Sequence, residues 1–335
     1  MRAPEFWERP DSPLPRLLAP AAALCTAAGS LRQRLSRRTT VEIPVICVGN
    51  LVAGGAGKTP VAISLALHLR EAGVEAHFLS RGYGGRERGP VRADPARHDH
   101  RAVGDEPLLL AEITPTWVGR DRVAAARAAI EGGAEALVLD DGFQDPRLAK
   151  DLSLLVVDAA YGFGNGRVMP AGPLREPVAV GLRRADAVVL LETAGAGSTP
   201  PLPAGTPLLR ARMVPTASLE RFRGRAVLAF AGIGRPARFF DMLREAGCRL
   251  VDAVAFADHH RYRPEEVMAL CERAARAGAV PLTTAKDAVR LPPGARPMVE
   301  VAHVIVEWLD AAALDRALAP ALRRARANAR TGSPA

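Results

Sequence analysis

The run VGNLVAGGAGKTP, Val48 to Pro60, decides how this chain is read. The apolar stretch IPVICVGN (43–50) leads into it, and PVAISLALHLREAG (60–73) leads out. The first reads as a buried strand and the second as a helix closed at Gly73. A glycine-rich loop between a strand and a helix is the setting a phosphate cradle needs. Glycines let peptide N–H groups turn inward, and the start of the next helix adds partial positive charge. Here the backbone of Val52, Ala53, Gly54, Gly55, Ala56 and Gly57 would wrap the phosphates of a nucleotide. Lys58 would reach the β- and γ-phosphates, and the Thr59 hydroxyl would ligate Mg²⁺. Pro60 is compatible, because a proline in the first helical turn gives up an N–H that has no intrahelical partner. The fit is to the compact pattern GGxGK[ST] rather than GxxxxGK[ST], since Val52 stands five places before Gly57. A glycine-rich turn without a phosphate role is the competing reading.

Around this loop, short apolar runs alternate with helical ones. EAHFLS (75–80), PTWVG (115–119), ALVLDD (136–141), LSLLVVD (152–158) and ADAVVLLE (185–192) read as strands. EPLLLAEI (106–113) and RVAAARAAIEGG (122–133) read as helices. That alternation predicts an α/β unit with a mostly parallel sheet covered on both faces. GAGSTPPLPAGTP (195–207) is a Gly/Pro-rich break, and LLRARMVP (208–215) an extended ribbon. RAVLAFAGIG (225–234), GCRLVDAVAF (247–256), EEVMALCERAARAG (265–278), AVPLTTAKD (279–287) and VEVAHVIVEW (299–308) predict a second, smaller α/β domain. The tail reads as a basic helix fading into a disordered GSPA end. The predicted division is an N-terminal segment over 1–40, a phosphate-loop domain over 41–206, a β-ribbon linker over 207–224 and the smaller domain over 225–330.

The 335 residues, 48% hydrophobic and 24% charged, exclude a mainly disordered chain and suggest about two domains. Four cysteines without a CxxC pair argue against a disulfide scaffold. The net charge of +9 is carried mostly by arginine: Lys58, Lys150 and Lys286 are the only lysines. With 4% aromatic residues and no basic patch interleaved with them, the charge does not point to nucleic acid. Leu17 to Leu31 carries no charge but is too short to span a bilayer and contains Pro20; Arg32, Arg34, Arg37 and Arg38 follow. It reads either as a helix packed on the protein body or as an interfacial anchor with its arginines on anionic headgroups.

Further candidates lie downstream. Asp140 and Asp141 end an apolar strand, where a Mg²⁺-binding carboxylate beside a phosphate loop is expected. Asp105 and Glu106 open a helix, either as favourably placed acids or as a base for a substrate hydroxyl. Asp258-His259-His260 places an imidazole near a carboxylate, unless the pair is merely solvated. His98 and His100 flank Asp99, a weaker metal candidate. SRGYGG (80–85) and YGFGNG (161–166) are flexible loops suited to the walls of a substrate site, and PAGPLRE (170–176) puts Arg175 and Glu176 at a turn. TTAKD (283–287) lacks the spacing of a guanine-reading element.

Taken in order, VGNLVAGGAGKTP, LSRGYGG, VGDEP, VGRDR, LDDGFQD, PAGPLRE, FADHH and TTAKDAVRL make the chain resemble the tetraacyldisaccharide 4′-kinases of lipid A biosynthesis from about Phe6 to Trp308. The resemblance implies transfer of the ATP γ-phosphate to the 4′-hydroxyl of a tetraacylated disaccharide 1-phosphate, giving lipid IVA. It also implies a membrane-associated phosphate-loop kinase of two α/β domains joined by a β-ribbon. By position, Lys58 and Thr59 hold ATP and Mg²⁺, Asp105 and His259 resemble the pair that activates the hydroxyl, and Asp140 and Asp141 resemble the acidic metal site. Tyr83, Arg122, Arg175 and Glu176 fall in motifs that line the headgroup site. Two positions depart from the family: Asp145 stands where it has His, and Ala285 where it commonly has Glu. A lipid substrate favours the anchor reading of 17–38, hence a peripheral or monotopic protein on the cytoplasmic face of the inner membrane, with no stable protein partner. The alternative is a membrane-associated ATPase acting as a nucleotide switch.

Overall fold

The computed structural model describes residues 4–7, 12–192 and 201–331. The expected GSPA end and residues 195–200 of the Gly/Pro-rich break lie outside the described residues, as do 1–3 and 8–11 of the N-terminal segment. The strands are β1 (Val45–Gly49), β2 (Ala76–Ser80), β3 (Val91–Arg92), β4 (Thr116–Val118), β5 (Ala136–Asp140), β6 (Leu152–Asp158), β7 (Ala187–Glu192), β8 (Leu208–Pro215), β9 (Ala226–Ala231), β10 (Arg249–Ala255), β11 (Val280–Thr284), β12 (Glu300–Ala302) and β13 (Val304–Trp308). The helices are α1 (Leu14–Leu17), α2 (Ala19–Leu35), α3 (Lys58–Glu71), α4 (His100–Val103), α5 (Asp105–Ala111), α6 (Arg122–Glu131), α7 (Val178–Leu182), α8 (Pro236–Glu245), α9 (Pro264–Arg276), α10 (Ala285–Ala288) and α11 (Ala311–Thr331).

The larger sheet runs β13-β8-β7-β6-β1-β5-β2-β4-β3. It is parallel except at its two edges, where β13 opposes β8 and β3 opposes β4. Its central strands are buried and mostly apolar because both faces are covered, with Asp140 and Asp158 only at strand ends. On one face Ile46, Val48, Val138 and Leu154 pack with Leu65 of α3 and with Leu314 and Leu318 of α11. On the other, Cys47, Leu137, Leu139 and Leu155 pack with Ala125 and Ala129 of α6. Each side chain withdrawn from water there contributes roughly 1–3 kcal/mol. The parallel register sets Val48 beside Asp140, so the loop after β1 and the acids after β5 emerge side by side at the same sheet end.

The smaller sheet, β10-β9-β11-β12, is parallel. Strand β9 alternates as a two-residue period requires: Val227, Ala229 and Ala231 face Phe239 and Leu243 of α8, whereas Leu228 and Phe230 face Val267 and Leu270 of α9.

Three expectations change. The ribbon strand at 208–215 is not free-standing; β8 is a member of the larger sheet, parallel to β7. The run 299–308 is not one strand but two serving different sheets, since β12 pairs with β11 and β13 with β8. Residues 304–331, expected with the smaller unit, therefore return to the larger one. The tail is a packed helix whose Leu314, Leu318, Ala321 and Ala325 sit in the core, while Arg324 and Arg326 donate to the Val41 and Ala72 carbonyls. Apolar periodicity predicts burial but carries no information about which sheet supplies it. Among the described residues, no helix is long and apolar enough to cross a membrane.

Candidate active site

Gly57 caps α3 in the left-handed region (φ 82°), a turn that only a residue without Cβ makes cheaply. This swing presents Lys58 and Thr59 at the start of the helix. Lys58 Nζ donates to Asn50 Oδ1 at 3.1 Å and lies 3.7 Å from Asp141 Oδ1. The Thr59 hydroxyl donates to Asp140 Oδ2 at 2.8 Å. The other carboxylate oxygen, Asp140 Oδ1, is buried and has no hydrogen-bond partner among the described residues.

Two neighbouring acids are held in opposite states. Burial, with the nearby charges of Glu106 and Asp141, pushes the Asp140 carboxyl up to about 7, against the pull of Lys58 and Thr59. Burial also works against ionised Asp141, but Lys58, Arg175 and Arg122 outweigh it and hold that group below its ordinary value. Such a set suits Mg²⁺: one hydroxyl and two carboxylates, with an orphaned oxygen aimed inward, leave the other positions for phosphate and water. Among the described residues there is no group of three His, Cys, Asp or Glu side chains that could hold a metal. His98 and His100, the weaker metal candidates, belong to no such group among the described residues. His98 Nδ1 accepts from Asp94 N, and Asp99 caps α4.

The second half of the site comes from the smaller unit. Asp105, buried at the first residue of α5, receives His259 Nδ1–H on Oδ2 at 2.9 Å. Burial would raise the Asp105 carboxyl, but the His259 hydrogen bond and the charges of Lys286, His259 and Arg290 hold it well below the usual carboxylate range. His259 sits at φ 57°, an uncommon conformation for a non-glycine residue, and its N–H donates to Gly232 O at 3.0 Å. The adjacent His260 is a different kind of residue: it stacks on Phe256 with ring centres 4.6 Å apart and meets Glu266 at 3.1 Å. Across the junction the Gly232–Gly234 loop abuts the glycine-rich loop so closely that a Cβ on Gly234 would lie 2.7 Å from Gly55 N.

The expected headgroup residues separate into two kinds. Tyr83 is 70% exposed, with its ring centre 5.7 Å from that of His259. Arg175 is partly exposed and donates to both Asp141 oxygens at 2.8 and 3.0 Å. Arg122 does not line an open site: it is 2% exposed and donates to the Leu79 and Asp141 carbonyls. It braces the end of β5 from behind, because a buried guanidinium needs acceptors and backbone carbonyls supply them. Glu176 is likewise buried, clamped by Arg184 at 2.5 and 2.6 Å and by Gln144 at 3.2 Å. Asp145 stands at the outer edge, engaging Arg147 through both oxygens, which together with backbone contact lowers it to about 2.

Sequence reasoning passed over Asn50, Gln144 and Arg290. Asn50 and Gln144 tie the loop to Lys58, Glu176 and Arg175. Their signal was position alone, at the end of β1 and just after Asp140-Asp141. The scarcity of lysine did mark Lys286, whose Nζ meets Glu106 Oε1 at 2.9 Å across the junction.

The family model described as tetraacyldisaccharide-1-P 4′-kinase matches residues 14–323. The chain is 54% identical over 330 residues to the tetraacyldisaccharide 4′-kinase of Rhodospirillum centenum, covering 96% of this chain and 97% of that one. It is 53% identical over 319 residues to the Gluconacetobacter diazotrophicus protein of the same name, at 95% and 97% coverage. Among solved structures it is similar to LpxK from Aquifex aeolicus in complex with ATP, with a TM-score of 0.75, 26% identity, and coverage of 92% of this chain and 99% of that one.

Proposed function

The chain belongs to the tetraacyldisaccharide-1-P 4′-kinase family, and on that premise we propose that Asp105 and His259 activate the acceptor hydroxyl while Lys58 and Thr59 hold ATP. The enzyme is a lipid A kinase that transfers the ATP γ-phosphate to the 4′-hydroxyl of tetraacyldisaccharide 1-phosphate, forming lipid IVA. The observation that carries the assignment of residues is the 2.9 Å contact of His259 with Asp105 at the end of the sheet that also bears Lys58 and Asp140.

Backbone N–H groups between Val52 and Gly57 cradle the phosphates, and the Lys58 ammonium neutralises charge that builds on the transferring group. Thr59, Asp140 and Asp141 would hold Mg²⁺, which when bound would supply positive charge to offset that of the transferring phosphoryl group. Asp105 takes the proton of the 4′-hydroxyl as the new O–P bond forms and the bond to the ADP oxygen breaks. Phosphoryl transfer has a loose transition state, so that proton moves late. An acceptor that is always ionised and well placed then matters more than a strong one. His259 keeps Asp105 ionised and oriented. Tyr83, beside His259 and open to solvent, lines the acceptor site.

The described N-terminal helices support placement at a membrane surface. Leu14, Leu17, Leu24, Leu31 and Leu35 are exposed, and Arg32, Arg34, Arg37 and Arg38 lie beside them. Leu24, Leu31 and Leu35 follow the seven- and four-residue spacing that puts side chains on one helix face. Such a face suits the acyl-chain boundary of the cytoplasmic leaflet, where the lipid acceptor resides.

Incubation with ATP, Mg²⁺ and the tetraacyl acceptor in detergent tests the assignment. Asp105→Asn is expected to lower kcat by roughly 10²–10⁴-fold while ATP affinity stays near the parent value. Equal loss of both would make Asp105 a binding residue instead.

A further inference from the structure

The segment TTAKDAVR (283–290) has no part in the nucleotide site, yet it carries three charged side chains into the junction. Lys286 reaches Glu106 of the larger unit. Asp287 is fully buried and saturated: Oδ1 accepts from Gly232 N at 2.8 Å, Tyr262 OH at 2.7 Å and Arg290 Nη2 at 2.8 Å, and Oδ2 accepts from Thr284 Oγ1 at 2.5 Å. Arg290, 2% exposed, spends every nitrogen: Nη2 also donates to Gly232 O at 2.9 Å, Nη1 to His260 O at 3.2 Å, and Nε to Lys286 O at 3.2 Å. Its Nε lies 3.5 Å from Asp105 Oδ2.

Two of these contacts coincide with those that fix His259. The His259 N–H is received by Gly232 O, the carbonyl that Arg290 grips. The ring N–H is received by Asp105 Oδ2, the oxygen that Arg290 faces. A residue in the left-handed region holds that shape only where its surroundings over-determine it. A buried ion pair adds little to stability over an apolar pair of similar volume, so its presence here is better explained by orientation than by cohesion.

We propose that Arg290 is a positioning residue for the reaction: by holding Gly232 O and Asp105 Oδ2, two of the acceptors of His259, it locks the imidazole–carboxylate pair in one orientation toward the acceptor hydroxyl. The inference rests on the assignment of Asp105 and His259 given above. It also gives the junction a specific purpose. One guanidinium ties the base on the larger unit to the histidine loop and to the loop that abuts Gly55.

The full-length enzyme carrying Arg290→Met, Asp105→Asn or both is assayed for kcat, acceptor KM and ATP affinity, with folding followed by circular dichroism. Arg290→Met keeps side-chain length and removes every donor. It is expected to fold, to bind ATP as the parent does, and to lose kcat on the order of 100-fold with little change in acceptor KM, the cost of a misplaced catalytic group. The double variant should lose no more than Asp105→Asn alone, because residues acting through one another are not additive. A folded Arg290→Met enzyme with parental kcat overturns the proposal, as does a double variant whose loss is the product of the two single losses. If Arg290→Met fails to fold, Arg290→Gln is read by the same criteria. Parental turnover in Asp105→Asn would remove the base assignment, and the inference with it; loss there with normal turnover in Arg290→Met removes the inference alone.

Discussion

His259 Nδ1 and Asp105 Oδ2 stand 2.9 Å apart across the junction of the two units, although 154 residues separate them along the chain. The pair exists only when the smaller unit is seated on the larger, so it reports on closure as well as on chemistry. His259→Asn separates the two. Asparagine tolerates the left-handed backbone at this position, so the melting temperature should hold within a few degrees. The imidazole is gone, and kcat should fall by roughly 10²–10³-fold with ATP affinity unchanged. Steady-state kinetics beside a thermal melt check this; a stable, fully active variant would show the imidazole to be dispensable.

The loop contact predicts an asymmetry between two glycines. A Cβ on Gly234 would meet Gly55 N at 2.7 Å, whereas a Cβ on Gly55 would come no nearer than 4.0 Å to Gly234 N. Gly234→Ala should therefore wedge the units apart, weakening acceptor turnover several-fold or more, while Gly55→Ala is sterically tolerated. Thermal melts of the two variants, with Gly234→Ala the less stable, decide it, because Gly55 also belongs to the proposed phosphate cradle and its turnover would report on nucleotide as well. The reverse order would mean that the two loops do not abut.

Asp140 links stability to pH with a definite sign. Its folded value, about 7, stands above the ordinary 3.8, so the folded state holds the extra proton between those limits. Stability should thus fall as pH rises through that window, by a few kcal/mol at most, and then level off. Asp140→Asn keeps an acceptor for Thr59 and lacks the slope. In urea melts without Mg²⁺, the variant should gain on the parent between pH 5 and pH 8, while losing turnover. Parallel curves would place the raised proton elsewhere.

Arg122 should affect the nucleotide end rather than the acceptor end. Its guanidinium is buried against the Leu79 and Asp141 carbonyls. Replacing it with methionine leaves those carbonyls unpaired, at a cost of about 1–3 kcal/mol each at most. Acceptor KM should stay near the parent value while Mg²⁺-ATP affinity weakens, measured by calorimetry. A rise in acceptor KM alone would restore Arg122 to the headgroup site.

What the sequence disclosed follows from range. Lys58 and Thr59 were legible as candidates because the proposed phosphate cradle lies within one strand, one loop and one helix start. Asp140 was legible because parallel strands end at a common edge. Asp105 and His259 stand in unremarkable local settings, an acid at a helix start and a loop histidine, and only the resemblance joined them. The burial of Arg122 was not legible because a motif position says nothing about burial, and its partners are carbonyls with no sequence signature. Residues 304–331 were misassigned for a related reason: one apolar run, 299–308, feeds two sheets, and the change of sheet between β12 and β13 leaves no mark in composition.

The chain leaves the larger sheet after β8 and rejoins it at β13, beside the strand it left. During synthesis, the larger unit must wait for the ribosome to release the segment from Val304 to Thr331 before that edge strand and the helix beneath it can seal the core. Truncation near Asp310 should consequently harm the end of the molecule that lies earliest in the chain. A growing chain therefore completes its larger unit only after the smaller one has been made.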